Sequence, residues 1–147
     1  MGLKVICLLK QTFATEAKIT LKDEQTISED RVKYVVNPYD EFAIEEAIKW
    51  REAGHVDDIT LLCVGGEKAV RDSVRKGLAM GADKAVVVDT TEVDTGRIDE
   101  AVVAKALAAQ LKNMEYDLVL CGKVAVDSNS MEVPGRVSAA LDVPLVS

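Results

Sequence analysis

Short apolar runs alternate with amphipathic segments along the whole chain, and this alternation restricts the fold more than any other feature. We predict buried strands over residues 5–8, 59–64, 85–88 and 117–121. Runs this short and this apolar are typical of a parallel sheet with both faces covered, and 117–121 suits its centre. Parallel strands need right-handed crossovers, which the intervening helices supply. The predicted fold class is therefore α/β: a parallel-sheet sandwich with helices on both faces, forming one domain over residues 1–147.

Four helices are predicted between and after these strands. The clearest begins at Asn37-Pro38 and ends at Gly54, because Asn is a favourable N-cap and Pro is favourable at the first helical position. Acidic residues crowd its first half and basic residues its last turns, so the helix macrodipole explains them better than catalysis does. The other helices are predicted over 67–80, 98–111 and 132–141. Residues 12–36 lack a clear pattern, although 18–22 alternates and is predicted to pair with 31–35 as a small hairpin.

The charge balance argues against several classes of partner. The chain of 147 residues is 48% hydrophobic and 29% charged, with a formal net charge of -7. This acidity argues against nucleic acid and anionic membrane surfaces as partners. No apolar run approaches the roughly 20 residues of a membrane span, and the first residues do not resemble a secretory signal. We therefore expect a globular cytoplasmic protein without membrane insertion.

The three cysteines and the single histidine do not form a recognisable site. Cys7, Cys63 and Cys121 each fall in a separate apolar strand without CxxC spacing, so they are predicted to be unpaired and buried in a reducing compartment. His55 follows a glycine at a predicted helix end, where a solvated loop histidine is expected. No Ser-His-Asp arrangement or metal-ligand cluster emerges. The glycine pair after the second core strand matches neither GxGxxG nor GxxxxGK[ST].

One stretch has the pattern of a ligand site. Residues 117–127, DLVLCGKVAVD, run from a strand through Gly122-Lys123 into a polar loop that precedes the last predicted helix. Open α/β sheets bind ligands at the carboxyl ends of their strands, where such loops lie. Gly122 would let a ligand approach the backbone, and Lys123 offers a positive charge. An ordinary strand-to-helix turn with a surface lysine explains the pattern equally well.

Four stretches in the same order resemble one protein family. They are NPYDEFAIEEA at 37–47, LAMGAD at 78–83, DLVLCGKVAVD at 117–127 and LDVP at 141–144. Together they resemble the signatures of electron transfer flavoprotein β subunits over essentially the whole chain. The resemblance implies a fold like that of adenine nucleotide alpha hydrolases and universal stress proteins. It also implies a longer chain, with a tail beyond residue 147 that embraces the α subunit and contacts dehydrogenases.

The resemblance implies a function that composition and periodicity do not show. Family members are α/β heterodimers that carry electrons from dehydrogenases to a further acceptor, and the redox-active FAD is held mainly by the α subunit. The β subunit binds AMP, or a second FAD in electron-bifurcating members. By this resemblance the chain is an electron-carrier subunit without independent catalysis. The alternative is a universal-stress-type nucleotide-binding regulatory domain, which would copurify with ATP rather than with AMP or FAD.

The resemblance also implies a set of nucleotide-binding residues near strand ends and helix starts. Leu8 and Val64 are expected to provide backbone hydrogen bonds and apolar walls for adenine, and the start of the last helix is expected to hold phosphate. Asp127 is expected to bind a ribose hydroxyl or to cap that helix. The full set is Leu8, Asn37, Pro38, Tyr39, Asp40, Val64, Gly122, Lys123, Val124, Ala125, Val126, Asp127, Ser128, Asn129, Glu132 and Val133.

The chain departs from the family pattern where the phosphate is expected. The family usually has Gln at the position of Glu132, and often Asn at the position of Met131. A carboxylate beside a phosphate is repulsive unless it is turned away or neutralised, yet an acidic residue in the first turn of a helix is favourable. Repulsion would give weak or absent AMP binding, whereas a rotated carboxylate would leave binding intact. The sequence leaves both interpretations open, and on the repulsion argument we expect weak or absent AMP in this chain and a higher AMP affinity after Glu132→Gln.

Overall fold

The computed structural model describes residues 1–28, 32–93 and 98–147. Its strands are β1 Leu3–Leu9, β2 Gln11–Phe13, β3 Thr20–Leu21, β4 Ile27–Ser28, β5 Tyr34–Val36, β6 Val56–Gly65, β7 Lys84–Asp89 and β8 Leu118–Leu120. Its helices are α1 Pro38–Glu52, α2 Glu67–Ala69, α3 Arg75–Met80, α4 Glu100–Leu111 and α5 Glu132–Leu141, and a π-helical turn Val70–Val74 joins α2 to α3.

The four predicted core strands form one parallel sheet in the order β7-β6-β1-β8. In its register Cys7 of β1 lies opposite Leu61 of β6 on one side and Leu120 of β8 on the other. Helical segments connect these strands, so the predicted α/β class is confirmed. Within the described residues, no helix has the length and apolar character needed to cross a membrane.

The core lies in two layers, one on each face of the sheet. Side chains of β1 alternate between them, since Val5, Cys7 and Leu9 belong to one cluster and Ile6 and Leu8 to the other. This alternation follows from the two-residue period of a strand. The first layer contains α1 and the π-helical turn, and the second contains α4 and α5. Both faces are therefore covered, as the apolar runs indicated.

The prediction that 117–121 lies at the sheet centre is wrong. Strand β8 is shorter, and it is an edge strand whose neighbour among the described strands is β1. Its three residues are each only half-buried. A run can be fully apolar at an edge because helices cover both faces of the sheet there, so apolarity alone does not fix the lateral position of a strand.

The predicted hairpin between 18–22 and 31–35 is also wrong. Strand β3 pairs with β4 instead, through Leu21 and Ile27, while β5 pairs with β2, where Gln11 lies opposite Val36. Strand β4 is nearer to β3 in the sequence than residues 31–35 are, so the loop between the paired strands is shorter and its closure costs less entropy. Strand β5 instead buries Val36 completely beside β2, which stabilises that pairing. The ring centroids of Phe13 and Tyr34 lie 5.2 Å apart across the same two strands. Residue 31 lies outside the described residues.

The helices match the sequence with two differences. Helix α5 has the predicted bounds. Helix α1 ends at Glu52, and Gly54, two residues later, adopts a φ of 80°, which a glycine tolerates without strain. The predicted helix 67–80 contains the π-helical turn described above. Helix α4 begins two residues later than predicted, because the Asp99 side chain caps it by accepting the N–H of Val102 at 2.9 Å.

The cysteines and the histidine lie as predicted. All three cysteines are free, with Cys7 and Cys63 fully buried and Cys121 partly so. His55 is exposed in the turn that follows α1. Among the residues that the structure describes, no group of three or more His, Cys, Asp or Glu side chains is placed to hold a metal ion.

Candidate functional site

A cavity of about 420 Å³ opens at the carboxyl ends of the parallel strands. The ends of β1 and β6 form its base, and the segments that follow β7 and β8 form its sides. The starts of α1, α2, α4 and α5 also contribute lining residues. Small-molecule sites typically measure about 300–1,000 Å³, and open α/β sheets place them at this edge. The cavity therefore has the size and location of a ligand site.

One wall of the cavity is apolar. Leu8 and Val64 lie near the ends of β1 and β6, and Val103 and Leu107 of α4 face the same space. Leu8 and Leu107 are 6% and 4% exposed, so they form a rigid surface rather than a solvated rim. A planar apolar group can stack against such a wall. Leu8 and Val64 are predicted to pack against adenine in this way, and that role stays a prediction.

The first turn of α1 reaches across to the loop between β8 and α5. Asn37 precedes the helix, but its side chain makes no cap bond among the described residues. Its Nδ2 donates to the carbonyl of Val124 at 2.9 Å, and its Oδ1 accepts the N–H of Val126 at 3.2 Å. Asn37 is the N-cap residue of α1 as predicted, but its side chain bonds the loop instead of the helix, since the loop offers the amide both a donor and an acceptor.

Asp40 joins three elements at the same place. Its Oδ2 accepts the N–H of Lys10 at 2.8 Å, and its Oδ1 accepts the N–H of Gly122 at 3.0 Å. The residue is only 5% exposed. Burial raises the pKa of Asp40 to about 6, although the N–H groups of Lys10 and Gly122, the Asn37 side chain and the Lys10 charge all oppose the shift. The macrodipole explanation of the acidic first turn thus misses the main contacts of Asp40.

A salt bridge closes one side of the loop between β8 and α5. Lys10 Nζ lies 2.8 Å from Asp127 Oδ1, which also accepts the N–H of Ser128 at 2.8 Å. Asn129 adopts a φ of 55°, and Ala125 and Ser130 form a β-bridge across the turn. Asp127 does not cap α5, because the N-cap position is Met131. The capping role predicted as one alternative for Asp127 is therefore wrong.

The start of α5 differs from a simple anion site. Glu132 is exposed, and its Oε2 accepts bonds from Nε and Nη2 of Arg136 at 2.8 and 2.6 Å. Val133 and Pro134 line the cavity. Pro134 has no backbone N–H, so this helix start has one anion-binding donor fewer than usual. Of the two interpretations of Glu132, this geometry supports a neutralised carboxylate that does not enter the cavity.

The structure brings most, but not all, of the predicted binding residues to the cavity. Those that line it are Leu8, Asn37, Asp40, Val64, Gly122, Lys123, Val124, Ala125 and Val133. Those that lie outside the lining formed by the described residues are Pro38, Tyr39, Val126, Asp127, Ser128, Asn129 and Glu132. The second group lies next to lining residues in the same segments, and one of its members, Asp127, pairs through its side chain with the lining residue Lys10.

Sequence reasoning missed several lining residues. Lys10 follows β1 directly, and its position at a strand end was a signal that could have identified it. Gly65, Gly66 and Lys68 follow β6, but they match no nucleotide motif. Lys68 Nζ lies 3.8 Å from the ring centroid of Tyr34. The remaining missed residues lie in or beside α2, α4 and α5, or in the strands and the positions that follow them: Leu9, Gln11, Leu62, Ala69, Thr90, Ile98, Asp99, Glu100, Val103, Leu107, Cys121, Ser130 and Pro134.

Comparison with known proteins adds independent information. Residues 25–147 match the electron transfer flavoprotein domain family. An electron transfer flavoprotein subunit beta from Syntrophomonas wolfei is 44% identical over 147 residues, which are 100% of this chain and 56% of that protein. Proteins of the same name from Bacillus subtilis and Homo sapiens are 39% and 31% identical over 145 and 143 residues. These alignments cover 99% and 97% of this chain, and 55% and 56% of the two proteins.

The fold and the cavity define an α/β domain with a ligand-sized pocket at the carboxyl edge of a parallel sheet. The chain belongs to the electron transfer flavoprotein domain family, in agreement with the resemblance seen in its four signature stretches. It spans about half the length of the curated relatives that it matches. Those relatives carry the name of the β subunit, as the signatures indicated.

Proposed function

We propose that this chain acts as the core of an electron transfer flavoprotein β subunit and that its cavity binds an adenine nucleotide, either AMP or a second FAD. The observation that carries the proposal is the cavity itself. It lies at the carboxyl edge of the sheet, and residues from four helix starts line it. Helix N-termini carry partial positive charge and favour phosphate groups.

The lining suits the two ends of a nucleotide. The wall formed by Leu8 and Val64 can pack against a purine ring. Lys10 and Lys123 also line the cavity, where they can attract phosphate. A ligand in this orientation would satisfy both an apolar and an anionic requirement. Within the described lining, the acidic side chains Asp99 and Glu100 at the start of α4 would limit how much negative charge the ligand carries on that side.

In the proposed assembly this chain supports a redox cofactor that it does not hold alone. The α subunit carries the redox-active FAD, which accepts electrons from a dehydrogenase and passes them to a further acceptor. The part of this chain described here would bind and orient a nucleotide close to that partner. We propose that it has no independent catalysis. We also place it in the cytoplasm, because free and buried cysteines suit a reducing compartment.

The test is identification of the copurifying ligand. The purified protein is first examined for a flavin absorption spectrum, then extracted with acid, and the released ligand is separated by chromatography. AMP or FAD would support the proposal, whereas ATP would support a regulatory domain of the universal stress type. If nothing is released, calorimetric titration with AMP and FAD decides, and absence of binding to both would overturn the nucleotide site. Copurification with a coexpressed electron transfer flavoprotein α subunit tests the partner separately.

A further inference from the structure

Asn37 and Asp40 use their hydrogen-bonding groups on the protein itself. Both residues are almost fully buried, at 2% and 5% exposed. The Asn37 amide donates to Val124 and accepts from Val126, and each carboxylate oxygen of Asp40 accepts one backbone N–H. These four bonds reach from α1 to the end of β1 and to the loop between β8 and α5. Each of these atoms keeps further hydrogen-bonding capacity, but the bond that it already makes ties α1 to its neighbours.

We propose that Asn37 and Asp40 are positioning residues, which hold the loop at 121–131 in place and so set the shape of the cavity that they also line. The proposal deepens the proposed function, because it assigns a role at the same site. It adds to the expectation drawn from the family resemblance, which gives both residues only a contact with the ligand. The loop carries Lys123, Val124 and Ala125 in the lining, so its position determines where those residues meet a ligand.

The close contact at Gly122 supports this role. A Cβ atom at residue 122 would overlap Asp40 Oδ1 and would lie 2.7 Å from the carbonyl carbon of Tyr39. The loop therefore passes α1 at a distance that only glycine permits. Such an approach places the N–H of Gly122 within bonding distance of Asp40. The glycine at position 122 is thus explained by the close contact with α1. The sequence pattern alone had suggested a different reason, the close approach of a ligand to the backbone.

The main chain of Lys10 completes the connection. Its N–H is bonded to Asp40, and its carbonyl accepts the N–H of Asn37 at 2.9 Å. The same residue extends its side chain to Asp127 in the loop. The end of β1 is therefore fixed between α1 and the loop. Loss of either α1 side chain would release the loop and would weaken binding, because Lys123, Val124 and Ala125 would no longer be held in the lining.

The experiment measures loop order and nucleotide affinity in the same variants. Amide hydrogen exchange by NMR reports the N–H groups of Gly122 and Val126, and calorimetry with AMP as the probe reports affinity. We expect Asn37→Ala to accelerate exchange at Val126 by about tenfold or more, because the bond to a buried acceptor is lost. Asn113→Ala is the matched control, since the Asn113 side chain bonds within its own helical turn. It should change neither quantity.

Two further variants separate a positioning role from a general loss of folding. Asn37→Asp keeps the acceptor for Val126 but brings a second carboxyl group beside the buried Asp40, so slow exchange at Val126 should return as the pH falls and the pair gains a proton, while the global unfolding transition stays cooperative. Gly122→Ala pushes the loop away from α1 and leaves both α1 side chains intact. We expect it to weaken AMP binding and to accelerate loop exchange, as Asn37→Ala does. If Asn37→Ala does not fold, Gly122→Ala and Asn37→Asp still decide.

The outcomes distinguish this proposal from the proposed function. If Asn37→Ala weakens AMP binding while exchange at Gly122 and Val126 stays unchanged, Asn37 contacts the nucleotide and the positioning role is wrong. If exchange is unchanged and affinity is unchanged, the loop does not depend on Asn37 and the proposal is again wrong. If the unaltered protein binds neither AMP nor FAD, the proposed function fails, and the exchange measurements still test the positioning role.

Discussion

Lys10 Nζ lies 2.8 Å from Asp127 Oδ1, so the residue that follows the first strand is paired with a loop residue near the far end of the chain. The pair spans 117 positions in sequence. The Asp127 side chain is 21% exposed and the Lys10 side chain is 46% exposed, which leaves the lysine partly open to the cavity that it lines. A phosphate in the proposed nucleotide site would therefore compete with Asp127 for Lys10.

This competition predicts the effect of Asp127→Asn. The substitution removes a negative charge near the proposed phosphate and frees Lys10, so AMP affinity should rise by about two- to fivefold, or roughly 0.5–1 kcal/mol. The gain should shrink at high salt because mobile ions screen exposed charges. Calorimetry at two salt concentrations measures both effects. Weaker binding by the variant would indicate instead that Asp127 binds a ribose hydroxyl, as one interpretation of the sequence has it.

The pairing of Glu132 with Arg136 predicts a small effect of Glu132→Gln on AMP affinity. Because the carboxylate is exposed and already neutralised, we expect a change of less than about threefold. Arg136→Gln should weaken binding more, since it leaves the Glu132 charge uncompensated. The double substitution should recover most of that loss. A large gain from Glu132→Gln alone, strongest at low salt, would show that the carboxylate faces the phosphate despite Arg136.

The buried carboxyl of Asp40 predicts the direction of one contribution to pH-dependent stability. Its pKa is raised to about 6, so the folded protein binds this proton more tightly than the unfolded chain does. The resulting stabilisation is complete below the unfolded pKa of about 3.9 and is lost as pH rises through 6. From pH 7.5 to pH 5 this group alone should add about 1 kcal/mol to the free energy of unfolding.

Urea unfolding of the unaltered protein and of Asp40→Asn at both pH values isolates that contribution. The free energy of unfolding of the unaltered protein, relative to that of Asp40→Asn, should be higher at pH 5 than at pH 7.5, because all other titrating groups are common to both. Glu41→Gln is the matched control, since Glu41 lies in the same turn and pairs with Lys76 at the surface. The same pH dependence in the unaltered protein and in Asp40→Asn would contradict the assignment to Asp40.

The cysteines provide a chemical measure of access to the cavity. Burial raises the pKa of Cys121 to about 11 and the pKa values of Cys7 and Cys63 to about 12, so all three should react slowly with a maleimide at neutral pH. Cys121 is the partly exposed member and lines the cavity, so it should react first. AMP should slow its modification. Mass spectrometry of timed samples identifies the site, and unfolded protein in urea is the control for intrinsic reactivity.

Faster labelling of Cys7 or Cys63 than of Cys121 would contradict the packing described here. Both lie on the face of the sheet that α1 covers, and each is 0% exposed. Their modification should therefore require global unfolding. Protection by AMP at Cys121 alone would place the ligand on the opposite face, beside α4 and α5. Equal protection at all three sites would indicate a general stabilisation rather than occupancy of the cavity.

The sequence predicted local structure well because local signals were strong. Apolar runs located the four core strands. The predicted bounds of α5, Glu132–Leu141, were correct because Pro144 prevents the helical pattern from continuing. The edge position of β8 was not predictable in this way, since helices cover its faces as they would cover a central strand. The pairing of β2 with β5 depended on the burial of Val36, which neither strand pattern expresses.

The site was predicted in part for a similar reason. The family resemblance named Leu8, Val64 and Gly122, and their location at strand ends agrees with it, because parallel strands bring their carboxyl ends to one edge. The roles of Asn37 and Asp40 depended on a loop more than 80 residues later in the chain, since their partners Val124 and Gly122 lie 87 and 82 positions away. No local rule relates such distant positions. The Glu132–Arg136 pair was different, because the i,i+4 spacing in a helix was a local signal that could have predicted it.

The position of β1 between β6 and β8 has a consequence for how the protein is made. During synthesis β1 emerges first, yet its lateral partners follow only at Val56–Gly65 and Leu118–Leu120. The nascent chain must therefore carry an apolar strand with two unpaired edges until β6 appears, and with one until β8 does. Unpaired edges are templates for association with other chains. Chaperone occupancy on the ribosome should accordingly be highest before residue 65 has emerged and should fall again once β8 has.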